Sequence, residues 1–141
     1  MKIFWDTNLF IYLWEKKSHA REMTALTAFM EAGQHTLATS TLTLGEILVH
    51  PSRSGREDLV AIYREAMQRL VLIPFDREAA VCFAKLRADH PALRPPDAIQ
   101  LACAMTGGYG LFLTNDDRLA SLAKVTGLKI HSLAGWAARP L

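Results

Sequence analysis

The stretch Lys2-Ile3-Phe4-Trp5-Asp6-Thr7-Asn8 decides the fold. Its three large apolar residues predict a short strand that is buried in a parallel sheet. The switch to Asp-Thr-Asn predicts the end of that strand and the start of a helix over Leu9–Trp14. Because ligands of open α/β sheets bind just beyond the carboxyl ends of the strands, Asp6 would stand at such a site. We interpret Asp6 as the first of several carboxylates that hold a divalent metal there.

The composition is that of a single globular domain covering residues 1–141. Half of the residues are hydrophobic and 21% are charged, which excludes a disordered chain. A net charge of +2 permits a polyanionic partner without requiring one. Cys82 and Cys103 lack CxxC spacing and are expected to be buried, reduced thiols. We see neither a signal-peptide pattern nor a membrane-spanning apolar run, so we expect a soluble cytoplasmic protein.

The rest of the chain alternates short apolar runs with helical patterns. The runs predict strands at 36–39, 71–74, 111–113 and 129–131. A loop is predicted at 51–55, followed by an amphipathic helix that turns Leu59, Ile62, Met67 and Leu70 inward. Other helices are predicted over about 19–32, 41–49, 76–89, 97–106 and 116–126. Strands separated by helices indicate an α/β domain with a mainly parallel central sheet flanked by helices.

Glu46 is the first further acid of interest, because it is the one charge within the apolar run Leu42–Val49. A lone carboxylate on an apolar helix is costly to desolvate, so we expect it to have a partner. The alternative is an ordinary glutamate exposed on a short helix.

Asp97 opens a helix whose body is almost wholly apolar, directly after Pro95 and Pro96. The prolines suit a helix start, since proline is tolerated in the first turn. An acid at that position has an ordinary explanation, which is its favourable interaction with the helix dipole. Burial of the rest of the helix nevertheless indicates that its N-terminus lies against the edge of the sheet.

Asp116 repeats the opening pattern, since it follows the apolar run Leu111–Leu113 and the polar pair Thr114-Asn115. Asp117 is adjacent, and one of the two acids could serve only as a helix cap. With parallel strands, these acids meet Asp6 at one edge of the sheet. Several carboxylates without clustered His or Cys suit Mg²⁺ or Mn²⁺ rather than zinc. Such a site is suited to hydrolysis of a phosphate ester or diester.

The chain resembles a PIN domain, and in particular the VapC toxin ribonucleases of type II toxin–antitoxin systems. The motifs that carry the resemblance span the chain and are Asp6-Thr7-Asn8, Glu46 in its apolar helix, Pro96–Ala102 and Thr114-Asn115-Asp116. Each motif is weak by itself, and together they are specific to PIN domains more than to the toxin branch.

The resemblance implies a three-layer fold with strand order 3-2-1-4-5 and an Mg²⁺- or Mn²⁺-dependent endoribonuclease. It assigns metal-binding or catalytic roles to Asp6, Glu46, Asp97 and Asp116, with Asp116 preferred to Asp117 because it stands two residues after Thr114. It assigns supporting roles to Thr7, Asn8, Ser40 and Thr114. It also implies a homodimer and a small antitoxin partner that inserts into or covers the active site.

The RNA substrate is expected to reach these acids across basic residues, for which we name Arg53, Arg56 and Arg94. Ordinary surface solvation is the alternative for each of them. Other readings are a housekeeping PIN nuclease or a PIN-like scaffold that binds RNA or protein without cleaving. A haloacid-dehalogenase-like phosphatase is disfavoured, because it needs a second aspartate where this chain has Asn8. A receiver domain is disfavoured because no matching lysine follows the fourth predicted strand.

Overall fold

The computed structural model describes residues 1–122 and 127–138. The strands within these ranges are β1 (Lys2–Trp5), β2 (Thr36–Ser40), β3 (Val71–Ile73), β4 (Leu111–Thr114) and β5 (Lys129–Ser132). The helices are α1 (Thr7–Glu15), α2 (Ala20–Ala32), α3 (Thr41–Arg53), α4 (Glu57–Met67), α5 (Arg77–Asp89), α6 (Pro95–Thr106), α7 (Asp117–Ala120) and α8 (Leu133–Ala138).

The strands form one parallel sheet in the order β3-β2-β1-β4-β5. This order and the parallel pairing confirm the predicted α/β fold. The opening strand β1 is central, with Phe4 opposite Ala38 of β2 on one side and Phe112 of β4 on the other. Its central position explains the near-continuous apolar sequence, because a strand in the middle of such a sheet is covered on both faces.

Side chains alternate between two cores, one on each face of the sheet. On one face Phe4 stacks on Phe112, with ring centroids 5.1 Å apart, and packs with residues of α5 and α6. On the other face Ile3 and Trp5 pack with residues of α1, α2 and α3. Cys103 lies in the first core and Cys82 beside it, both as free thiols. The result is the three-layer arrangement that the resemblance to PIN domains implied.

Several predicted boundaries are wrong. The loop predicted at 51–55 is helical up to Arg53, because α3 continues through the buried Pro51 in its last turn. The α6 helix starts at Pro95 rather than at Asp97, with proline in the first turn, where its missing N–H costs nothing. Ile62, predicted to face inward, is 56% exposed. The helix predicted over 116–126 is the short α7, and its last part, 123–126, lies outside the described residues.

The topology brings several chain segments to the carboxyl edge of the sheet. β1 and β4 are in register and end together at this edge, where the Asp6 amide donates to the Leu113 carbonyl at 2.9 Å. The helices α1 and α3 start directly after β1 and β2, so their first turns lie at the same edge. Within the described ranges, every helix is too short or too polar to cross a membrane.

Candidate active site

A cleft of about 250 Å³ opens at this edge of the sheet and is lined by all of the acids selected from the sequence. We call it the acid cleft, and its lining consists of Asp6, Thr7, Asn8, Ile11, Glu46, Arg94, Pro96, Asp97, Gln100 and Asp116. These residues come from the ends of β1 and β4, from α1 and α3, and from the start of α6. Residues up to 110 positions apart in the chain therefore share one small space.

Asp6 is the most enclosed of the acids, with 7% of its surface exposed. Its Oδ1 accepts from the Thr7 amide at 2.9 Å, which makes Asp6 the N-cap of α1. Its Oδ2 accepts from the Thr114 hydroxyl at 2.7 Å, and Gln100 Nε2 lies 3.2 Å from Oδ1. Burial raises the pKa of Asp6 from 3.8 to about 6 against the effect of these hydrogen bonds, and the nearby Asp97 charge adds to the rise.

This raised pKa predicts that Asp6 itself contributes more to the stability of the metal-free protein in mild acid than at neutral pH. A carboxyl whose folded pKa exceeds its unfolded value stabilises the fold fully below pH 3.8 and loses that contribution as the pH rises through about 6. The shift corresponds to about 3 kcal/mol. We expect the free energy of urea unfolding in EDTA, wild type minus Asp6→Asn, to fall by about that amount between pH 4 and 7.5. A pH-independent difference would contradict the burial argument.

Glu46 reaches the acid cleft from the second turn of α3. Its Oε1 accepts from the Thr7 hydroxyl at 2.7 Å, so the expected partner is a hydroxyl group. The side chain itself is exposed, as the alternative reading of the apolar run held. The apolar run around Glu46 does not indicate a buried surface, because Val49, on the next turn, is also 48% exposed. Glu46 thus stands at the solvent side of the cleft, whereas Asp6 is enclosed.

Asp97 and Asp116 are paired with arginines. Arg94 Nε lies 3.5 Å from an Asp97 oxygen, and Arg94 Nη2 lies 3.9 Å from Asp116. Arg118 makes a two-point contact with Asp116, at 3.0 Å from Nε and 2.6 Å from Nη2. The Arg118 hydrogen bonds lower the pKa of Asp116, whereas burial raises that of Asp97, with Arg94 opposing the rise. Asp117 is exposed on the first turn of α7, outside the lining of the cleft within the described residues.

Gln100 is a site residue to which sequence reasoning gave no role. It is 1% exposed, and its Nε2 lies 2.7 Å from Thr43 Oγ1, 3.0 Å from Thr7 Oγ1 and 3.2 Å from Asp6. Its Oε1 accepts from the Ser40 hydroxyl. The signal was present in the sequence, since Gln100 is the one amide of α6 and stands three residues after Asp97, on the same helix face.

The residues predicted to support the acids are distributed around this network. Thr7, Ser40 and Thr114 are buried and make the hydrogen bonds just described, and Ser40 also caps α3. Asn8 accepts from the Asn115 amide at 3.3 Å and so ties the start of α1 to the end of β4. These contacts hold the ends of β1, β2 and β4 together around the cleft.

The arginines named from the sequence are placed differently from one another. Arg94 lines the acid cleft. Arg53 is exposed at the C-terminal end of α3, and Arg56 is exposed just beyond it and forms an ion pair with Asp58 at 2.9 Å. Arg118, which sequence reasoning did not name, takes the position beside the acids. It does so because Asp116 caps α7, and this turn brings residue 118 back towards the cap.

The PIN domain family model matches residues 3–125 of the chain. The chain belongs to the PIN domain family. This match covers both ends of the acid cleft, from Asp6 to Asp116. It confirms the family resemblance that was predicted from the sequence motifs.

Solved structures that resemble this PIN domain include chains of toxin–antitoxin complexes. A toxin–antitoxin complex from Klebsiella pneumoniae matches at 23% identity and a TM-score of 0.69, over 93% of this chain and 97% of the other. VapBC2 from Rickettsia felis matches at 17% identity and a TM-score of 0.73, over 94% of this chain and 98% of the other. FitAcB from Neisseria gonorrhoeae matches at 16% identity and a TM-score of 0.70, over 94% of this chain and 98% of the other. At these identities the likeness establishes a shared fold. No curated protein matches the chain significantly.

The donor chemistry of this PIN domain's cleft fits a hard divalent cation, because its acids offer oxygen ligands only. The acids are also close enough to affect one another, since Asp97 raises the pKa of Asp6 and Asp116 raises that of Asp97. As the side chains stand, however, no three acidic, His or Cys groups of residues 1–122 and 127–138 surround one point. In this geometry both oxygens of Asp116 accept from Arg118.

Proposed function

We propose that this PIN domain is a metal-dependent endoribonuclease that hydrolyses RNA phosphodiester bonds as the toxin of a toxin–antitoxin pair. The observation that carries the proposal is the convergence of Asp6, Glu46, Asp97 and Asp116 on one cleft of a PIN fold. A buried carboxylate such as Asp6 is costly without a compensating charge, and a cation in the cleft would supply that charge. Four acids in one cleft argue against a PIN-like scaffold that binds without cleaving.

The same acids would hold one or two ions, Mg²⁺ or Mn²⁺. Bound there, the ion would neutralise phosphoryl charge and lower the pKa of a nearby water. Thr7, Thr114 and Gln100 hold Asp6 in a fixed position for that purpose. Arg94 and Arg118 place guanidinium groups beside the acids, where they can contact a phosphate.

Glu46 is suited to take the proton of the attacking water. It is exposed at the cleft, and one of its oxygens is already oriented by the Thr7 hydroxyl at 2.7 Å. In the proposed reaction the water oxygen attacks phosphorus, its proton passes to Glu46, and the bond from phosphorus to the leaving oxygen breaks. The leaving oxygen then takes a proton from solvent.

The partner proposals rest on the structural relatives. A chain of similar fold occurs in a complex from Klebsiella pneumoniae that is described as toxin–antitoxin. We infer a small antitoxin that covers the acid cleft, a homodimeric toxin and a cytoplasmic location. A housekeeping PIN nuclease is the alternative with the same chemistry and no antitoxin.

Adjacent acids at the start of α7 provide the test of the proposed function. Asp116→Asn keeps the N-cap, because asparagine caps helices as well as aspartate does, and removes a charge from the cleft. Asp117→Asn removes the same charge one residue away, at an exposed position. The assay uses Mg²⁺ or Mn²⁺ and RNA that contains both single-stranded and hairpin regions. We expect Asp116→Asn to cleave at least about 100-fold more slowly than wild type. We expect Asp117→Asn to cleave at the wild-type rate.

Cleavage that survives EDTA, or equal rates for the two variants, would refute the metal mechanism at this site. Expression in a bacterial host adds the toxin readout. We expect wild type and Asp117→Asn to arrest growth and Asp116→Asn to be harmless. An active nuclease that does not arrest growth would assign the protein to the housekeeping class.

A further inference from the structure

A second cavity, of about 420 Å³, adjoins the acid cleft. We call it the side cavity. It shares Arg94, Asp97 and Asp116 with the cleft and extends away from them between α7 and the loop that joins α5 to α6. The proposed nuclease reaction makes no use of this space, although its volume falls within the range of small-molecule sites.

The walls of the side cavity are apolar at the base and polar at the rim. Leu93 and Leu119 form the base and are 7% and 2% exposed. Leu93 is held in place because its carbonyl accepts from Arg87. His90 and Ser121 contribute polar groups at the rim. An apolar base with a few polar groups around it suits a flat heteroaromatic ring, which has apolar faces and polar edges.

Arginines stand where the two spaces meet. The side chains of Arg94 and Arg118 are 63% and 67% exposed. A guanidinium carries five N–H donors, and the Arg118 pair with Asp116 engages only its Nε and one Nη. Arg94 lines both spaces, and Arg118 lines the side cavity beside Asp116, which lines both. Such donors favour a phosphate, preferably one attached to the occupant of the cavity.

We propose that the side cavity binds one unpaired nucleobase of the RNA, next to the phosphate that lies in the acid cleft. This inference rests on the proposed nuclease function, because the cleft supplies the phosphate position. A base in a cavity of this kind is taken out of its stack, so single-stranded or loop RNA is the substrate class. A side chain of a protein partner could also pack on Leu93 and Leu119 at the bottom of the cavity, but it would carry no phosphate for the arginines.

The first test uses wild-type protein and does not depend on cleavage. Backbone amide signals are followed by NMR during titration with the four nucleoside 5′-monophosphates, and with ribose 5-phosphate as the matched probe that lacks a base. We expect the monophosphates to shift the amides of Ala92, Leu93 and Ser121, and ribose 5-phosphate to leave them in place. Equal shifts from both kinds of probe would overturn the inference.

The second test measures cleavage of an oligoribonucleotide in which an abasic nucleotide is moved past the scissile bond. We expect one position at which loss of the base raises KM about tenfold. Ala92→Trp fills the side cavity from an exposed turn that lies outside the catalytic machinery, and it should abolish this dependence on position. Thermal unfolding of the variant verifies that it is folded.

These outcomes separate the inference from the proposed function. If wild type cleaves RNA with metal but tolerates an abasic nucleotide at every position, the nucleobase site is refuted and the nuclease stands. If wild type does not cleave, the proposed function fails, and base-dependent NMR shifts at Ala92 and Leu93 still decide whether the cavity binds a base. Shifts on addition of an apolar peptide, without base-dependent shifts, would assign the cavity to a protein partner and overturn the inference.

Discussion

Asp6→Asn is expected to lower metal-dependent RNA cleavage at least about 100-fold and, at the same time, to stabilise the metal-free protein at pH 7.5. Loss of an outer partner of a metal ligand typically costs 10–100-fold, so loss of an enclosed ligand charge should cost more. The effect on stability runs the other way, because burial raises the pKa of Asp6 to about 6 and its charge is therefore unfavourable in the fold.

Asparagine can keep the hydrogen bonds that hold this position. Its oxygen can accept from the Thr7 amide and from Gln100, as Asp6 Oδ1 does. Its amide group would face the Thr114 hydroxyl, which can accept as well as donate. Removal of the charge without loss of the contacts leads us to expect a gain of up to about 3 kcal/mol in the free energy of unfolding.

Urea unfolding in EDTA at pH 7.5, together with single-turnover cleavage assays, measures both effects. Asp76→Asn is the matched control, since Asp76 also caps a helix, at 3.0 Å from the Ala79 amide, but is exposed and distant from the acid cleft. That variant should change neither quantity appreciably. Added Mg²⁺ should raise the stability of wild type and have a much smaller effect on Asp6→Asn. An Asp6→Asn protein that is active, or one that is less stable than wild type, would refute this account.

Gln100→Ala is expected to weaken both the fold and the site. The substitution removes one buried hydrogen-bond partner from each of Ser40, Thr43 and Asp6 and creates a cavity, which should lower the free energy of unfolding by about 2–4 kcal/mol. Because Gln100 also positions Asp6 and Thr7, we expect Mg²⁺ or Mn²⁺ to bind about 10–100-fold more weakly.

Isothermal titration with Mn²⁺ at a temperature where the variant is folded separates these effects. A purely structural glutamine would lower the stability and leave the metal affinity of the folded protein unchanged, which would count against a positioning role. Gln68→Ala serves as the control, because Gln68 is exposed at the end of α4 and should be neutral in both measurements. Equal stability of Gln100→Ala and wild type would contradict the buried network.

The architecture was predictable because its signals are local. Apolar runs of three to five residues, each followed by a polar cap, define strands such as Lys2–Trp5 and Leu111–Thr114. Parallel order then places Asp6 and Asp116 at one edge without knowledge of any contact. Helix ends were less predictable, as Pro51 shows, because a proline in the last turn of a helix sacrifices a single hydrogen bond that packing can offset.

Side-chain partners were not predictable, because they depend on contacts between distant parts of the chain. Gln100 contacts Asp6 across 94 positions. Its spacing from Asp97 places it on the face of α6 that carries Asp97 but does not identify Asp6 as its partner. The arginine partners of Asp97 and Asp116 follow from the geometry of the turns at Arg94 and Arg118. The exposure of Glu46 depends on how α3 is rotated against the sheet, which an apolar run does not specify.

We expect the parts of the protein that hold Asp6 and Asp116 to open at different free energies. The Asp6 amide is bonded between two central strands, so its hydrogen exchange requires disruption of the sheet. Asp116 caps α7, a single turn anchored by the buried Leu119, and a helix of this length depends on such packing. Opening of this short turn alone would therefore displace Asp116 and Arg118, whereas displacement of Asp6 would require the sheet to open. A ligand that needs both acids binds only the form in which the α7 turn is folded. Its apparent affinity is therefore reduced by the fraction of molecules in which this turn is open.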